Sequence, residues 1–218
     1  MDSKFYNSLK NQNKILIIDF GMGNLWSVES ALNYLNINYE TTQNYKKLFE
    51  TNKIILPGVG SFRRAMQSIN KLGLTNAIKD FASDKKNKIL GICLGYQLLT
   101  NSSNEDGFTE GLGLINTRVE KFNTKELKGN KIPHIGFNSV FKSPRSKLFD
   151  NLPNSSDFYF VHSYKIPLDN LKGDISICNN GCDFAAAFEK DNIYGVQFHP
   201  EKSQKNGLKL LSNFLFKV

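Results

Sequence analysis

One stretch constrains this chain more than any other: Lys88-Ile89-Leu90-Gly91-Ile92-Cys93-Leu94-Gly95-Tyr96-Gln97-Leu98-Leu99. An apolar run of strand type meets a glycine, delivers a cysteine, and meets a second glycine before a helical pattern begins. That is the G-x-nucleophile-x-G elbow of strand–turn–helix hydrolases, with sulfur in place of the serine oxygen. The glycines belong there because the turn is too tight for a β-carbon on either side of the nucleophile. The nucleophile then sits at a helix N-terminus, where the positive end of the dipole favours a thiolate. The alternative for Cys93 is a small hydrophobe filling a core strand, a common fate of a free cysteine. The pentapeptide alone leaves both open.

A second cluster breaks the tie. Gly195-Val196-Gln197-Phe198-His199-Pro200-Glu201-Lys202-Ser203 closes the last apolar run. A cysteine nucleophile needs a base, and an imidazole needs an acceptor that orients it. His199 and Glu201 are two apart, and Pro200 between them biases His199 toward an extended backbone. Both side chains then point the same way, so the carboxylate can hold the imidazole tautomer. A solvated surface His-Pro-Glu turn is the alternative. Set beside the elbow, the order Cys93, His199, Glu201 specifies a catalytic triad.

The runs between these clusters predict the fold. Lys14 to Asp19 reads as a buried parallel strand, followed by the glycine-rich turn Phe20-Gly21-Met22-Gly23-Asn24. A helix follows with Leu25, Val28, Leu32 and Leu35 on one face. A dinucleotide fingerprint would need a further glycine where Trp26 stands. Lys53 to Leu56 repeats the strand pattern into Pro57-Gly58-Val59-Gly60, and amphipathic segments over Arg63–Lys71 and Leu74–Ser83 lead to the Cys93 strand. This alternation predicts a parallel or mixed sheet flanked by helices, with Asn24, Gly58–Gly60 and Cys93 meeting at the C-terminal strand ends. Short strand-like runs fill the second half: Leu112–Val119, Ile132–Val140, Phe158–Tyr164, Ile175–Cys178, Phe184–Phe188 and Ile193–Phe198. They predict a largely antiparallel or mixed region packed beside the first sheet. A helix over Gly207–Phe216 ends the chain. Residues 1–13 read as a flexible polar extension and 14–218 as a single domain, with no linker or repeat.

With 218 residues, 40% of them hydrophobic, the chain can bury an ordinary core. Its net charge of +8 comes from scattered lysines without a basic block or interleaved aromatics, the pattern of a solvated surface rather than a nucleic-acid site. Cys93, Cys178 and Cys182 form no disulfide framework, and the last two read as structural. No apolar run approaches membrane-spanning length and no leader precedes the fold, so a reducing cytoplasm is expected.

The chain resembles the class I (triad) glutamine amidotransferases, and among them the glutaminase subunits of imidazole glycerol phosphate synthase. The resemblance runs from Lys14 to Leu215 and rests on Asp19-Phe20-Gly21-Met22-Gly23-Asn24, Pro57-Gly58-Val59-Gly60 and Gly91-Ile92-Cys93-Leu94-Gly95. It continues through Pro133-His134-Ile135-Gly136, Tyr159-Phe160-Val161-His162-Ser163-Tyr164 and His199-Pro200-Glu201-Lys202-Ser203. It implies the class I amidotransferase fold, with a smaller, largely antiparallel sheet beside the main one. It also implies hydrolysis of L-glutamine through a thioester on Cys93, with His199 as base and Glu201 orienting it. An oxyanion hole is implied from the Leu94 N–H and one in Gly58-Val59-Gly60, a loop whose peptide can flip when a partner docks. Gln97, His162, Ser163 and Tyr164 are implied to line the glutamine pocket; the alternatives are a surface residue on the elbow helix for Gln97 and packed strand rings for Tyr159, His162 and Tyr164. No metal or cofactor is implied. The implied partner is a (β/α)₈ cyclase that takes the ammonia and makes imidazole glycerol phosphate and AICAR in histidine biosynthesis. Asn24, Phe137, Tyr159 and Lys202 would face it.

Some positions depart from the pattern of those glutaminases. Phe137 stands where tryptophan is usual, Tyr96 replaces a methionine behind the elbow, and Phe20 replaces a tyrosine. Tyr159–Tyr164 and Phe184–Lys190 also resemble a paralogous branch that supplies ammonia for sugar amidation in surface-polysaccharide synthesis. A cysteine hydrolase of another specificity and a non-catalytic regulatory subunit complete the alternatives. Retention of Cys93, His199 and Glu201 together weighs against the latter.

Overall fold

The computed structural model describes residues 14–125, 127, 129–169 and 171–218. The expected extension over 1–13 lies outside them. In chain order the strands are β1 (Ile15–Ile18), β2 (Tyr39–Thr42), β3 (Lys53–Leu56), β4 (Lys88–Ile92), β5 (Thr100–Ser103), β6 (Thr109–Glu110) and β7 (Ile115–Lys121). They continue with β8 (His134–Phe141), β9 (Ser155–His162), β10 (Tyr164–Lys165), β11 (Asp174–Asn179), β12 (Asp183–Lys190) and β13 (Ile193–Val196). The α-helices are α1 (Leu25–Tyr34), α2 (Phe62–Lys71), α3 (Leu74–Ser83), α4 (Leu94–Leu98) and α5 (Gln204–Phe216).

The main sheet has nine strands in the order β2-β1-β3-β4-β13-β12-β11-β8-β9. From β2 to β13 every pairing is parallel, and beyond β13 every pairing is antiparallel. Alternation along the parallel strands sorts their side chains to two cores. Ile15, Ile17, Ile55 and Leu90 pack with Val28 and Leu32 of α1 and with Leu210, Leu211 and Phe214 of α5. Leu16, Ile18, Ile54 and Ile89 face Ala65, Met66 and Ile69 of α2 and Ile78 and Phe81 of α3. β1, β3 and β4 are buried on both faces, which is why their sequences read as continuous apolar runs, whereas edge strand β2 is half-buried and polar.

The second half of the chain departs from expectation. Most of its strands extend the main sheet rather than packing beside it, because β13 pairs in parallel with β4 and the β12–β13 pair carries the ladder onward. Six consecutive residues of β12, Phe184 to Glu189, are buried, as befits an interior strand. The run expected over Phe158–Tyr164 breaks at Ser163. Its first part, β9, closes the large sheet, while β10 joins a separate four-stranded sheet ordered β10-β7-β5-β6. Ser163 thus sits where the chain passes from one sheet to the other. The last helix starts at Gln204, earlier than the expected Gly207.

Candidate active site

The elbow forms as its sequence requires. Cys93 caps α4 with φ +53° and ψ −108°, an unusual backbone for a residue with a side chain, costing about 1–3 kcal/mol. The neighbouring glycines make this turn possible. A β-carbon on Gly95 would lie 1.7 Å from the Leu56 carbonyl oxygen, and one on Gly91 would lie 2.6 Å from Tyr96 Cα. Cys93 N–H donates to the Val196 carbonyl at 2.8 Å, tying the elbow to the end of β13.

That tie explains how residues from opposite ends of the sequence meet. In the β4–β13 register Ile92 faces Val196, so Cys93 and His199 both leave the C-terminal edge of adjacent parallel strands. Pro200 opens a 3₁₀ turn over Pro200–Lys202 that returns Glu201 to the imidazole. His199 Nδ1 donates to Glu201 Oε1 at 2.7 Å, with both side chains almost wholly buried. His199 Nε2 and Glu201 Oε2 are buried without a hydrogen-bond partner. Burial opposes charge on His199, but the neighbouring Cys93 sulfur and Glu201 carboxylate outweigh it and raise the pKa of the ring.

A cavity of about 560 Å³ opens onto Cys93. It is lined by Val59, Gly60, Leu94, Gln97 and Glu105 together with Pro133, His162, Ser163 and Tyr164. The residues expected in a glutamine pocket therefore converge here, but not all present free polar atoms. Gln97 Nε2 donates to the Tyr164 carbonyl at 3.1 Å and to Gln197 Oε1 at 3.0 Å. His162 is occupied on both ring nitrogens. Its Nδ1–H donates to the Tyr164 carbonyl at 2.7 Å, so its Nε2 accepts from His134 Nδ1 at 3.0 Å. His134 Nε2 in turn accepts from Asn138 Nδ2 at 3.2 Å. His162 thus lines the cavity as a packed ring whose two nitrogens are both engaged within the chain. Burial drives both rings neutral, lowering His162 to about 3 and His134 to about 4.

The expected oxyanion donors are also engaged. Leu94 N–H donates to the Gly58 carbonyl at 3.4 Å, and Val59 N–H to the Met22 carbonyl at 2.8 Å. The three glycine-rich loops do meet at the C-terminal edge, but the hole they are expected to form is closed in this conformation. Of the residues expected at an interface, Phe137 is 51% exposed and packs edge-on against Tyr159, ring centroids 5.6 Å apart. Lys202 is exposed, and Asn24 is half-buried with its side-chain amide on Ser27 Oγ at 2.8 Å.

Sequence reasoning missed Gln197, Glu105 and Ser203. Gln197 lies two residues before His199, on the same side of an extended backbone, and donates to Cys93 Sγ at 3.7 Å. Its position just beyond the end of β13, between that strand and the base, was the available signal. Glu105 is the one carboxylate among the lining residues, and no motif marks it. Its carboxylate accepts the Phe62 N–H at the start of α2 at 2.8 Å, while burial raises its pKa. Among the described residues no cluster of three His, Cys, Asp or Glu is placed to hold a metal ion, and no helix is long and apolar enough to cross a membrane.

With a thiol, a buried His–Glu pair and a closed elbow at one strand edge, the molecule has the makings of a cysteine amidohydrolase. The chain belongs to the class-I glutamine amidotransferase family, whose model matches residues 16–218. It is 44% identical to imidazole glycerol phosphate synthase subunit HisH 1 of Parasynechococcus marenigrum, over 93% of this chain and 97% of that protein. Identity to subunit HisH 2 of Methanococcus maripaludis is 45%, covering 92% of this chain and 98% of the relative. Solved structures share the fold at lower identity. A structure of PurLQS from Thermotoga maritima superposes with TM-score 0.70 at 19% identity, covering 94% of this chain and 98% of that one. A crystal structure of a glutamine amidotransferase gives TM-score 0.70 at 15% identity, covering 92% of this chain and 96% of that one.

Proposed function

We propose that this chain is the glutaminase subunit of an imidazole glycerol phosphate synthase, releasing ammonia from L-glutamine for histidine biosynthesis. The observation that carries this is the buried His199–Glu201 pair beside Cys93, whose side of the elbow lines the cavity, in a chain 44–45% identical to HisH subunits. In this mechanism the Cys93 thiolate attacks the side-chain carbonyl carbon of glutamine. His199 gives its Nε2 proton to the departing nitrogen, which leaves as ammonia, and a γ-glutamyl thioester remains. His199 then takes a proton from water, the hydroxide attacks the thioester, and glutamate departs as the Cys93 thiolate reforms. Glu201 keeps the imidazole tautomer with Nε2 toward the sulfur. Glu105 complements the α-ammonium of the substrate across the cavity.

The ammonia is passed to a (β/α)₈ cyclase in a heterodimer, with Phe137, Tyr159, Asn24 and Lys202 on the docking face. Exposed Phe137, packed edge-on against half-buried Tyr159, supplies an aromatic surface suited to such a contact. A cytoplasmic setting suits three free thiols. The HisH relatives favour this partner over an enzyme of polysaccharide synthesis. A steady-state glutaminase assay of the purified chain, alone and with the cyclase and its nucleotide ligand, tests the reading. Glutamate release that needs Cys93 and rises with the cyclase supports it. No release under either condition, or release that persists in Cys93→Ala, defeats it.

A further inference from the structure

Ser203 makes a closed ring of hydrogen bonds around the backbone of His199. The Ser203 hydroxyl donates to the His199 carbonyl at 2.6 Å and accepts the Tyr159 N–H at 2.9 Å. The ring closes as His199 N–H donates to the Tyr159 carbonyl at 2.9 Å. Ser203 is 1% exposed, and its own N–H is held by the Pro200 carbonyl at 3.0 Å. The hydroxyl therefore ties the His199 carbonyl to the Tyr159 N–H, while the His199 N–H is held directly by the Tyr159 carbonyl, so both peptide groups of His199 are clamped against strand β9. The Cα–Cβ direction of His199, and with it the approach of Nε2 to Cys93, follows from where that backbone is clamped.

We infer that Ser203 is a positioning residue for the general base, setting the imidazole against the Cys93 sulfur through the shared ring with Tyr159. The inference deepens the glutaminase reading and rests on it. Removing the hydroxyl leaves the Tyr159 N–H and the Ser203 side of the His199 carbonyl without that partner. The 3₁₀ turn then relaxes, and the imidazole loses its set distance to sulfur while the glutamine cavity keeps its lining.

The test compares wild type, Ser203→Ala and Ser203→Cys, with Asn213→Ala as a control. Asn213 is an equally buried polar residue whose amide bonds the Leu148 and Asp150 carbonyls, remote from the triad's bonds. Two quantities are read: glutaminase kinetics with the cyclase, and the pH dependence of Cys93 alkylation by iodoacetamide, followed by mass mapping. For Ser203→Ala, kcat falls about 10- to 100-fold with KM within twofold, as small misplacements of a catalytic group produce. The thiolate limb of its alkylation profile moves to higher pH. Ser203→Cys falls between, and it is read in the same way should Ser203→Ala not fold. Asn213→Ala lowers the melting temperature without moving the profile. A Ser203→Ala chain with wild-type kcat and profile, or one that matches Asn213→Ala, overturns the inference. Alkylation needs no glutamine turnover. A wild-type chain that alkylates normally but hydrolyses nothing defeats the glutaminase reading, and the profile still decides the role of Ser203.

Discussion

Leu94 donates its backbone N–H to the Gly58 carbonyl at 3.4 Å, so a carbonyl of the chain occupies one of the two donors proposed for the oxyanion. The next amide in the loop, Val59 N–H, is turned away to Met22 at 2.8 Å. Turning over the single peptide between Gly58 and Val59 would free the first donor and present the second. One oxyanion donor is worth ~10²–10³ in kcat. The chain alone is therefore expected to hydrolyse glutamine slowly, and its cyclase with bound ligand to raise kcat by about 10²-fold or more. Cys93 alkylation, which needs no oxyanion hole, is expected to change far less. Parallel stopped assays of both reactions check this, and an isolated chain already at the full glutaminase rate would count against the closed hole.

Glu201→Gln tests what holds the base. The carboxylate accepts from His199 Nδ1 and is among the groups that raise the pKa of the ring against the opposing effect of burial. Without its charge the imidazolium is lost at lower pH. The basic limb of the kcat/KM profile is expected to move to lower pH, and kcat to drop about 10²-fold or more. An unshifted basic limb would mean that Glu201 does not stabilise the charged ring.

Glu105→Gln separates binding from chemistry. The amide oxygen can still accept the Phe62 N–H, so the fold of the α2 start is kept, but the negative charge facing the cavity is gone. A charge-assisted contact is worth about 1.5–3 kcal/mol, so KM for glutamine is expected to rise ~10- to 100-fold with kcat nearly unchanged. Initial-rate measurements over a range of glutamine concentrations decide it, and an unaltered KM removes Glu105 from substrate recognition.

What the sequence could and could not reveal follows from the range of the forces involved. The elbow, the parallel strands and the His-Pro-Glu turn were legible because local sterics and burial on both faces leave marks within a few residues. The continuation of the sheet through β12, β11, β8 and β9 was not, since strand-like runs carry no record of which neighbour they pair with. The break at Ser163 was hidden for the same reason. The sequence left His162 open between a pocket residue and a packed strand ring, because its partner His134 lies across a strand pair and the contact that locks both tautomers is not local.

That buried pair predicts acid sensitivity. In the fold His134 and His162 are held neutral by burial, at about 4 and about 3, whereas an unfolded histidine titrates near 6.5. Between these values the unfolded chain binds more protons, so stability is complete above about pH 6.5 and falls as pH drops toward the folded values. At pH 5 each ring costs about 2 kcal/mol relative to neutral solution. His199, raised to about 10 in the fold, works in the opposite sense, but its contribution builds between about pH 10 and 6.5 and is already complete over the acid interval. Urea unfolding at pH 7 and pH 5 is expected to show a loss that shrinks in His134→Gln/His162→Gln, even if that variant is weaker at pH 7. An equal loss in both chains would show that the pair does not carry the effect.

The aromatic ring behind the elbow gives the last prediction. Tyr96 is fully buried and packs over β13, where a β-carbon on Gly195 would lie 1.9 Å from Tyr96 Cδ2. Neither can yield easily, because β13 is locked between β4 and β12 and the Tyr96 backbone sits directly against Gly91. Overpacking a core of this kind costs typically 1–3 kcal/mol. Gly195→Ala is thus expected to lower stability by about 2–3 kcal/mol and, since β13 leads to His199, to reduce glutaminase activity as well. Tyr96→Met replaces the ring with a flexible chain and discards a buried hydroxyl that has no hydrogen-bond partner. Combined with Gly195→Ala it should recover part of the loss, giving a coupling energy of about 1 kcal/mol or more in a double-mutant cycle. Additive single effects would mean that Tyr96 does not require the glycine, and the space for an aromatic residue behind Cys93 would then need another source.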